Sequence, residues 1–251
     1  MLALISSDVL KLRRRRGMLA ISLVLTAGLM AVALLVMAIQ HGGNPVKYGP
    51  AGGLGNYQDD IGIVALMALI VGTIIGATAG TQDIESGVFR DLAATGRSRM
   101  ALFASRVAGA WAVVLPILAL TAGLTAAGCV ALAGSLAAPG AGAIVAGTAA
   151  VLVAGALSAA VAVGVSALVG SRGPVIGIML AFYLAVQNLL LVMGFLGGAR
   201  RLVPDVAIHR IGDLAPTAGV HVGLGAAILV VVGWSALTLG LGAWRTRTRE
   251  I

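Results

Sequence analysis

The sequence predicts an all-α, polytopic membrane protein with six transmembrane helices, an N-terminal interfacial helix and a short cytoplasmic helix after the second span. Composition is the first observation: the 251 residues are 59% hydrophobic and only 10% charged, with a mean hydropathy of +1.04. In a soluble domain about a quarter of all residues are charged, so this composition is typical of a membrane protein. The second observation is that six apolar runs are each long enough to cross a ~30 Å hydrocarbon core as a helix. These runs lack the alternation expected of membrane β-barrel strands.

The first predicted element is an interfacial helix over residues 2–16. Its apolar residues recur every three or four positions, as on one face of a helix. They are Leu2, Ile5, Val9 and Leu12. The four arginines at residues 13–16 are expected to face anionic headgroups, or alternatively to serve only as a topology signal. A twin-arginine export signal is disfavoured because the apolar run that follows is too long.

Six apolar runs define the spans, and the basic residues orient them. With the N-terminus inside, thirteen of the seventeen Lys and Arg residues fall inside and four fall outside. Because cytoplasmic segments carry the excess of basic residues, both termini are expected to be cytoplasmic. Abundant Ala, Gly and Arg favour a bacterial source and hence the bacterial inner (cytoplasmic) membrane. The predicted spans cover about residues 18–39, 61–80, 107–132, 143–169, 174–197 and 221–244.

The connections between spans differ in character. Residues 40–60 are predicted to form an outer loop rich in Gly, Pro and Asn, whereas the connections on either side of the fourth span are short. Residues 198–220 are too apolar for a free loop and too short and charged to span. Re-entrant or interfacial helices, broken at Pro204 and Pro216, are therefore predicted there.

Glycines spaced four residues apart predict close helix packing. Such GxxxG steps let two helix backbones approach each other, either within one subunit or across a dimer. The steps lie at Gly72, Gly76 and Gly80 on the second span, at Gly194 and Gly198, and at Gly219 and Gly223.

The longest polar interruption of the inner side, which we call the polar stretch, runs from Gly80 to Arg106, and a span flanks it at each end. It carries three of the nine acidic residues and four of the seventeen basic residues. Residues 86–95 are predicted to form a short helix that Ser86 caps and Gly96 ends. Such a helix suits the cleft of a soluble partner; the alternative is a solvated loop that only satisfies topology. The side chains assigned to this helix include Glu85, Phe89, Arg90 and Asp91.

Several reactive arrangements are absent from the sequence. A P-loop requires G-x-x-x-x-G-K-[ST], and neither Lys11 nor Lys47 has that context, so the chain itself is not expected to bind ATP or to act as an enzyme. No ionisable residue falls in the middle of a predicted span, which disfavours a proton- or sodium-coupled carrier. The three histidines are widely separated, so neither a catalytic constellation nor a metal site is predicted.

The strongest polar feature at membrane depth is the amide pair Gln187 and Asn188 in the fifth span. Interhelical hydrogen bonding is the favoured interpretation, and contact with a transported substrate is the alternative. Because Gly, Ala, Leu and Val dominate the spans, any cargo is expected to be amphipathic or hydrophobic.

The segment LKLRRRR, the six spans, and a loop of the form D-x-E-S-G-x-x-x-x-L-x-x-x-G-x-S-R after the second span form a recognisable layout. The chain resembles the membrane (permease) subunits of type 2 ATP-binding-cassette (ABC) exporters. By layout the resemblance covers essentially the whole chain, while the specific motif covers about residues 83–99. The loop departs from the usual pattern at Val88-Phe89, where Thr-Leu is common, and at Gly96, where Pro is common.

The resemblance implies a transport role. Two copies of such a subunit form a twelve-span pore in the lipid bilayer, and each docks a separate cytoplasmic ATPase through its coupling helix. ATP and Mg are then bound by the ATPase, and no nucleic acid takes part. The residues implied to couple to the ATPase are Asp83, Glu85, Ser86, Gly87, Phe89, Arg90, Asp91, Leu92, Arg97 and Arg99.

Two other classes of function remain open at the level of sequence. A membrane scaffold or sensor would use residues 80–106 to recruit a cytoplasmic partner and would transport nothing. A membrane enzyme is disfavoured because no reactive constellation is present.

Overall fold

The computed structural model describes residues 1–88 and 98–248. These residues are 85% helical and contain no strand. Six of the described helices are long and apolar enough to cross a membrane, which confirms the predicted all-α, multi-pass class. Two of the six, Arg16–Gly43 and Arg172–Val192, each contain one π-helical turn. In chain order the helices are α1 (Leu2–Arg14), α2 (Arg16–Gly43), α3 (Leu54–Glu85), α4 (Arg99–Ala131), α5 (Ala141–Val169), α6 (Arg172–Val192), α7 (Pro204–Ile211) and α8 (Leu224–Thr248).

Several helix ends differ from the ends of the apolar runs. α3 extends past both ends of the predicted span 61–80, and α4 begins eight residues before residue 107, at Arg99. α6 ends before residue 197 because Met193 adopts extended backbone angles (φ −70°, ψ 91°). An apolar run marks where a chain crosses lipid, whereas a helix ends where its backbone hydrogen bonds end.

Local sequence explains how α4, α5 and α6 are connected. Ser98 caps the start of α4, since its side-chain oxygen accepts a hydrogen bond from the Ala101 N–H at 3.1 Å. α5 ends at Gly170, which takes the left-handed conformation (φ 82°) that glycine adopts without strain. Only Gly170 and Ser171 separate α5 from α6, so these two helices are antiparallel neighbours.

The most extensive helix contact in the bundle joins α3 to α5. Three glycines of α3 lie so close to α5 that an added Cβ atom would collide with it. The GxxxG steps of the second span therefore serve packing inside the subunit. The other two steps do not pack this way, because a Cβ atom added there would meet nothing within 4 Å. The close contacts are Gly72 with Ser158, Gly76 with Ala159 and Gly80 with Ser166.

Residues 193–223 connect α6 to α8 through short helical pieces and close one end of the bundle. Two 3₁₀ turns, Gly194–Leu202 and Thr217–Gly219, flank α7. Pro204 is the first residue of α7, a position where the missing N–H of proline leaves no hydrogen bond unmade. α7 packs on α5 and α8 and buries Ala207 completely. That residues 193–223 lie at the outer face of the membrane stays a prediction.

Candidate functional site

Charged side chains from α1, α3 and α4 meet at the end of the bundle opposite to residues 193–223. The centre is Asp83 of α3: its Oδ1 binds the Lys11 ammonium at 2.9 Å, and its Oδ2 lies 3.5 Å from the Arg106 guanidinium. Lys11 also binds Asp8, at 3.3 Å, and the Ser105 hydroxyl donates to Asp8 at 2.7 Å. We call these five residues the charged junction. Its charges alternate in sign and tie the N-terminal helix to the two helices that flank the polar stretch.

The charged junction is largely shielded from solvent. Arg106 is 3% exposed and Asp83 is 6% exposed, and the Arg106 guanidinium also donates to the Gly80 carbonyl at 3.2 Å. A buried charge is stable only when it is paired and hydrogen-bonded, so these contacts are needed for the helix ends to pack. Gly109 allows α1 to approach α4, because a Cβ atom there would lie 2.9 Å from the Asp8 Cβ.

The junction determines how α1 lies. Of the predicted apolar face, Leu12 is 1% exposed, whereas Leu2 is 83% exposed. The arginines at residues 13–16 are all exposed. α1 is thus held near its C-terminal end by Lys11 and Leu12 and presents its basic cluster outward; its interfacial location remains a prediction.

The predicted coupling residues divide into three groups, and Asp83 forms the first. Its carboxylate points into the bundle and is bound to Lys11 and Arg106. Because Asp83 is only 6% exposed, its carboxylate is not accessible for direct contact with a soluble partner. Its contribution is to position the helices around it.

Glu85, Ser86 and Gly87 form the second group, at the end of α3. Glu85 is the last residue of α3, which corrects its assignment to the following short helix. Its Oε1 accepts a hydrogen bond from the Arg172 N–H at 2.5 Å, at the first residue of α6. Ser86 is the C-cap of α3, and its hydroxyl lies 3.5 Å from the Asp83 carbonyl as a donor. Gly87 takes the left-handed conformation (φ 74°) that ends the helix.

The third group consists of the remaining predicted coupling residues, of which the structure describes only Arg99. Arg99, at the start of α4, donates to the Arg247 carbonyl near the end of α8 at 3.4 Å. The end of α3 and the starts of α4 and α6 therefore lie together with the C-terminal end of α8. Most of the predicted helix 86–95 is outside the described residues. So are the predicted coupling residues Phe89, Arg90, Asp91, Leu92 and Arg97.

The amide pair of the fifth span is not part of the charged junction. Gln187 lies fifteen residues into α6 from Arg172, about 22 Å along the helix. It is 1% exposed, and its Oε1 accepts no hydrogen bond from the described residues. Asn188 is exposed and donates to the Leu184 carbonyl of its own helix at 2.9 Å. Within the described chain, neither the Asn188 amide nitrogen nor the Gln187 Oε1 is seen to bond to another helix, and the role of this amide pair stays a prediction.

Asp60 is an acidic residue whose position the sequence did not predict correctly. The predicted outer loop ends at Asp60, but this residue lies inside α3 and is 6% exposed. The Cys129 thiol lies 3.5 Å from its carboxylate. Among residues 1–88 and 98–248, no three His, Cys, Asp or Glu side chains are grouped so that they could hold a metal ion.

Sequence reasoning identified Asp83 but not its partners. Lys11 precedes Asp83 by 72 residues, and Arg106 follows it by 23. One feature of the sequence does indicate that Asp83 has a cationic partner, because a carboxylate at the end of a long apolar helix needs a cation near it. Comparison with protein-family models and with curated proteins finds no match to this chain.

Proposed function

We propose that this chain is the permease subunit of a type 2 ABC exporter in the bacterial cytoplasmic membrane. In this proposal two copies form the pore, and each docks a separate ATPase, which holds ATP and Mg. The observation that carries the proposal is the charged junction. The polar stretch begins at the end of α3 and ends at the start of α4, and the junction ties both helices to α1.

Such an arrangement suits the transmission of force. A push on residues 88–98 is applied to the end of α3 and to the start of α4 together. Buried ion pairs resist separation, because parting them leaves charges in a poorly solvated environment. α1 then moves with α3 and α4, and its exposed arginines slide along the headgroups.

Two further contacts extend the junction to the remaining helices. The Glu85 carboxylate caps the N-terminus of α6, where a negative charge is favoured by the helix dipole. Arg99 links α4 to the end of α8. A displacement of the polar stretch is therefore communicated to four of the six long helices, α3, α4, α6 and α8, and to α1.

Purification in mild detergent followed by mass determination tests this proposal. The tagged chain, expressed with its neighbouring genes, is expected to retain an ATPase that carries a P-loop, at about one copy per permease. Glu85→Ala combined with Arg90→Ala is expected to remove the ATPase without loss of the permease. Arg210→Ala, at the opposite end of the bundle, is the matched control and is expected to retain it.

The scaffold or sensor is the second candidate and predicts a different mass. A homodimer that retains no ATPase, although its neighbouring genes are expressed, would contradict the exporter and favour the scaffold. Retention of the ATPase by the double variant would contradict the role of the polar stretch while leaving the transport role in place.

A further inference from the structure

An apolar groove runs along α8 at the end of the bundle opposite to the charged junction. Its volume is about 490 Å³. The α8 residues that line it repeat every three or four positions, so they form one face of the helix. From Ala226 to Leu237 this face extends about 16 Å, which matches half of a ~30 Å hydrocarbon core. The α8 residues of the groove are Ala226, Leu229, Val230, Gly233, Trp234 and Leu237.

The walls of the groove are built by specific contacts. Trp234 donates its ring N–H to the Leu202 carbonyl at 2.9 Å, which attaches the 3₁₀ turn Gly194–Leu202 to α8. Gly233 leaves the space open, because a Cβ atom added there meets nothing within 4 Å. A large side chain at this position would therefore project into the groove.

The mouth of the groove is positively charged. Arg201 lines both the groove and an adjoining pocket of about 260 Å³, which Arg200 and His221 also line. Arg201 is exposed, and within the described part of the chain its side chain forms no ion pair or hydrogen bond. No acidic residue among those described lines either space.

The acidic residues of this segment are directed to other partners. Asp205 lies 3.5 Å from the His209 ring, and Asp213 lies 3.5 Å from the Arg210 guanidinium. Neither lines the groove or the adjoining pocket. The positive charge of the Arg201 guanidinium is therefore not paired with either of these carboxylates, and it lies next to the apolar groove.

We propose that this site binds one anionic phospholipid, with an acyl chain in the groove and the phosphate at Arg201. The length of the groove fits a chain that reaches the middle of the bilayer. The planar guanidinium fits a phosphate, to which it donates charge-assisted hydrogen bonds. Inorganic phosphate would leave the groove empty, and a neutral apolar ligand would make no use of Arg201. The bilayer supplies a ligand that has both parts.

Native mass spectrometry of the full chain in detergent tests the proposal. The chain is titrated with phosphatidylglycerol or with phosphatidylcholine of the same acyl chains. We expect the first phosphatidylglycerol to bind about fivefold more tightly, as one arginine near a headgroup allows. Arg201→Gln is expected to abolish this preference, and Gly233→Leu is expected to weaken binding of both lipids. Arg210→Gln and Gly240→Leu are the matched controls, since Gly240 also has open space around it.

Three results would overturn the proposal. The first is equal binding of the two lipids by the parent chain, and the second is the same preference in Arg201→Gln and Arg210→Gln. The third is a dimer that Gly233→Leu dissociates while lipid binding stays unchanged, which would assign the groove to a second copy of the chain. None of these measurements involves an ATPase, so the failure of this site would leave the proposed export role untouched.

Discussion

At the scale of single residues, Asp83 divides its two carboxylate oxygens between cations in different environments. Oδ1 binds Lys11, whose side chain is 32% exposed and which also binds Asp8. Oδ2 faces Arg106, whose side chain is 4% exposed. An exposed ion pair contributes little to stability, whereas loss of one partner of a buried pair is strongly destabilising. The stabilising part of the junction is therefore the contact between Asp83 and Arg106.

Asp83→Ala is expected to lower the free energy of unfolding by about 3 kcal/mol or more, because it removes a buried negative charge beside Arg106. The midpoint of thermal unfolding in detergent would then fall by roughly 6 °C or more. The control is Arg210→Ala, which removes the exposed pair with Asp213 and is expected to change stability by less than about 1 kcal/mol. Equal midpoints for the two variants would show that the junction does not stabilise the bundle.

At the scale of elements, the number of crossing helices could be predicted and the charged junction could not. About twenty apolar residues in lipid satisfy their backbone only as a helix, so the run lengths were sufficient. The helix ends depend on other features, such as the left-handed Gly87 that ends α3 and the Ser98 cap that begins α4. The pairing of Lys11 with Asp83 depends on how α1 packs on α4, which no local pattern encodes.

The packing of α3 on α5 leads to a prediction for Gly76. Gly76→Ala places a methyl group against the Ala159 backbone, which cannot move aside as a flexible side chain would. Overpacking of this kind destabilises by about 1–3 kcal/mol. Gly62→Ala in the same helix meets nothing within 4 Å, and alanine favours helix over glycine, so this control is expected to be neutral or slightly stabilising. Thermal unfolding of the two variants checks the difference, and a neutral Gly76→Ala would contradict the close contact.

At the scale of the whole molecule, the two ends of the helix bundle differ in chemistry. One end holds α1 with its arginines, the charged junction, and the ends of α3 and α8. The other end is covered by residues 193–223, beside the apolar groove along α8. The expectation that the first end is cytoplasmic rests on the distribution of basic residues. An even number of spans then places both termini on that side.

Cysteine labelling measures this orientation directly. The native Cys129 is 0% exposed, so it contributes little background with a membrane-impermeant maleimide. Val46 is 98% exposed in the connection between α2 and α3, and Val46→Cys is expected to react in intact cells. Arg245→Cys, near the end of α8, is expected to react only after the membrane is permeabilised. The reverse pattern would place the polar stretch outside the cell and exclude its docking to a cytoplasmic ATPase.

The direction in which the chain leaves α3 leads to the last prediction. Gly87 has φ 74° and open space around it, so backbone conformation alone determines which residues fit. Proline fixes φ near −65° and would send the following residues in another direction, whereas asparagine tolerates the left-handed region. Gly87→Pro is therefore expected to reduce the retained ATPase by about tenfold or more, with Gly87→Asn close to the parent chain. Gly87→Asn should unfold near the parent's temperature, whereas Gly87→Pro also loses the hydrogen bond from the residue 87 N–H to the Ile84 carbonyl and is expected to unfold at a somewhat lower temperature. Equal retention of the ATPase by both variants would show that the polar stretch does not position a partner.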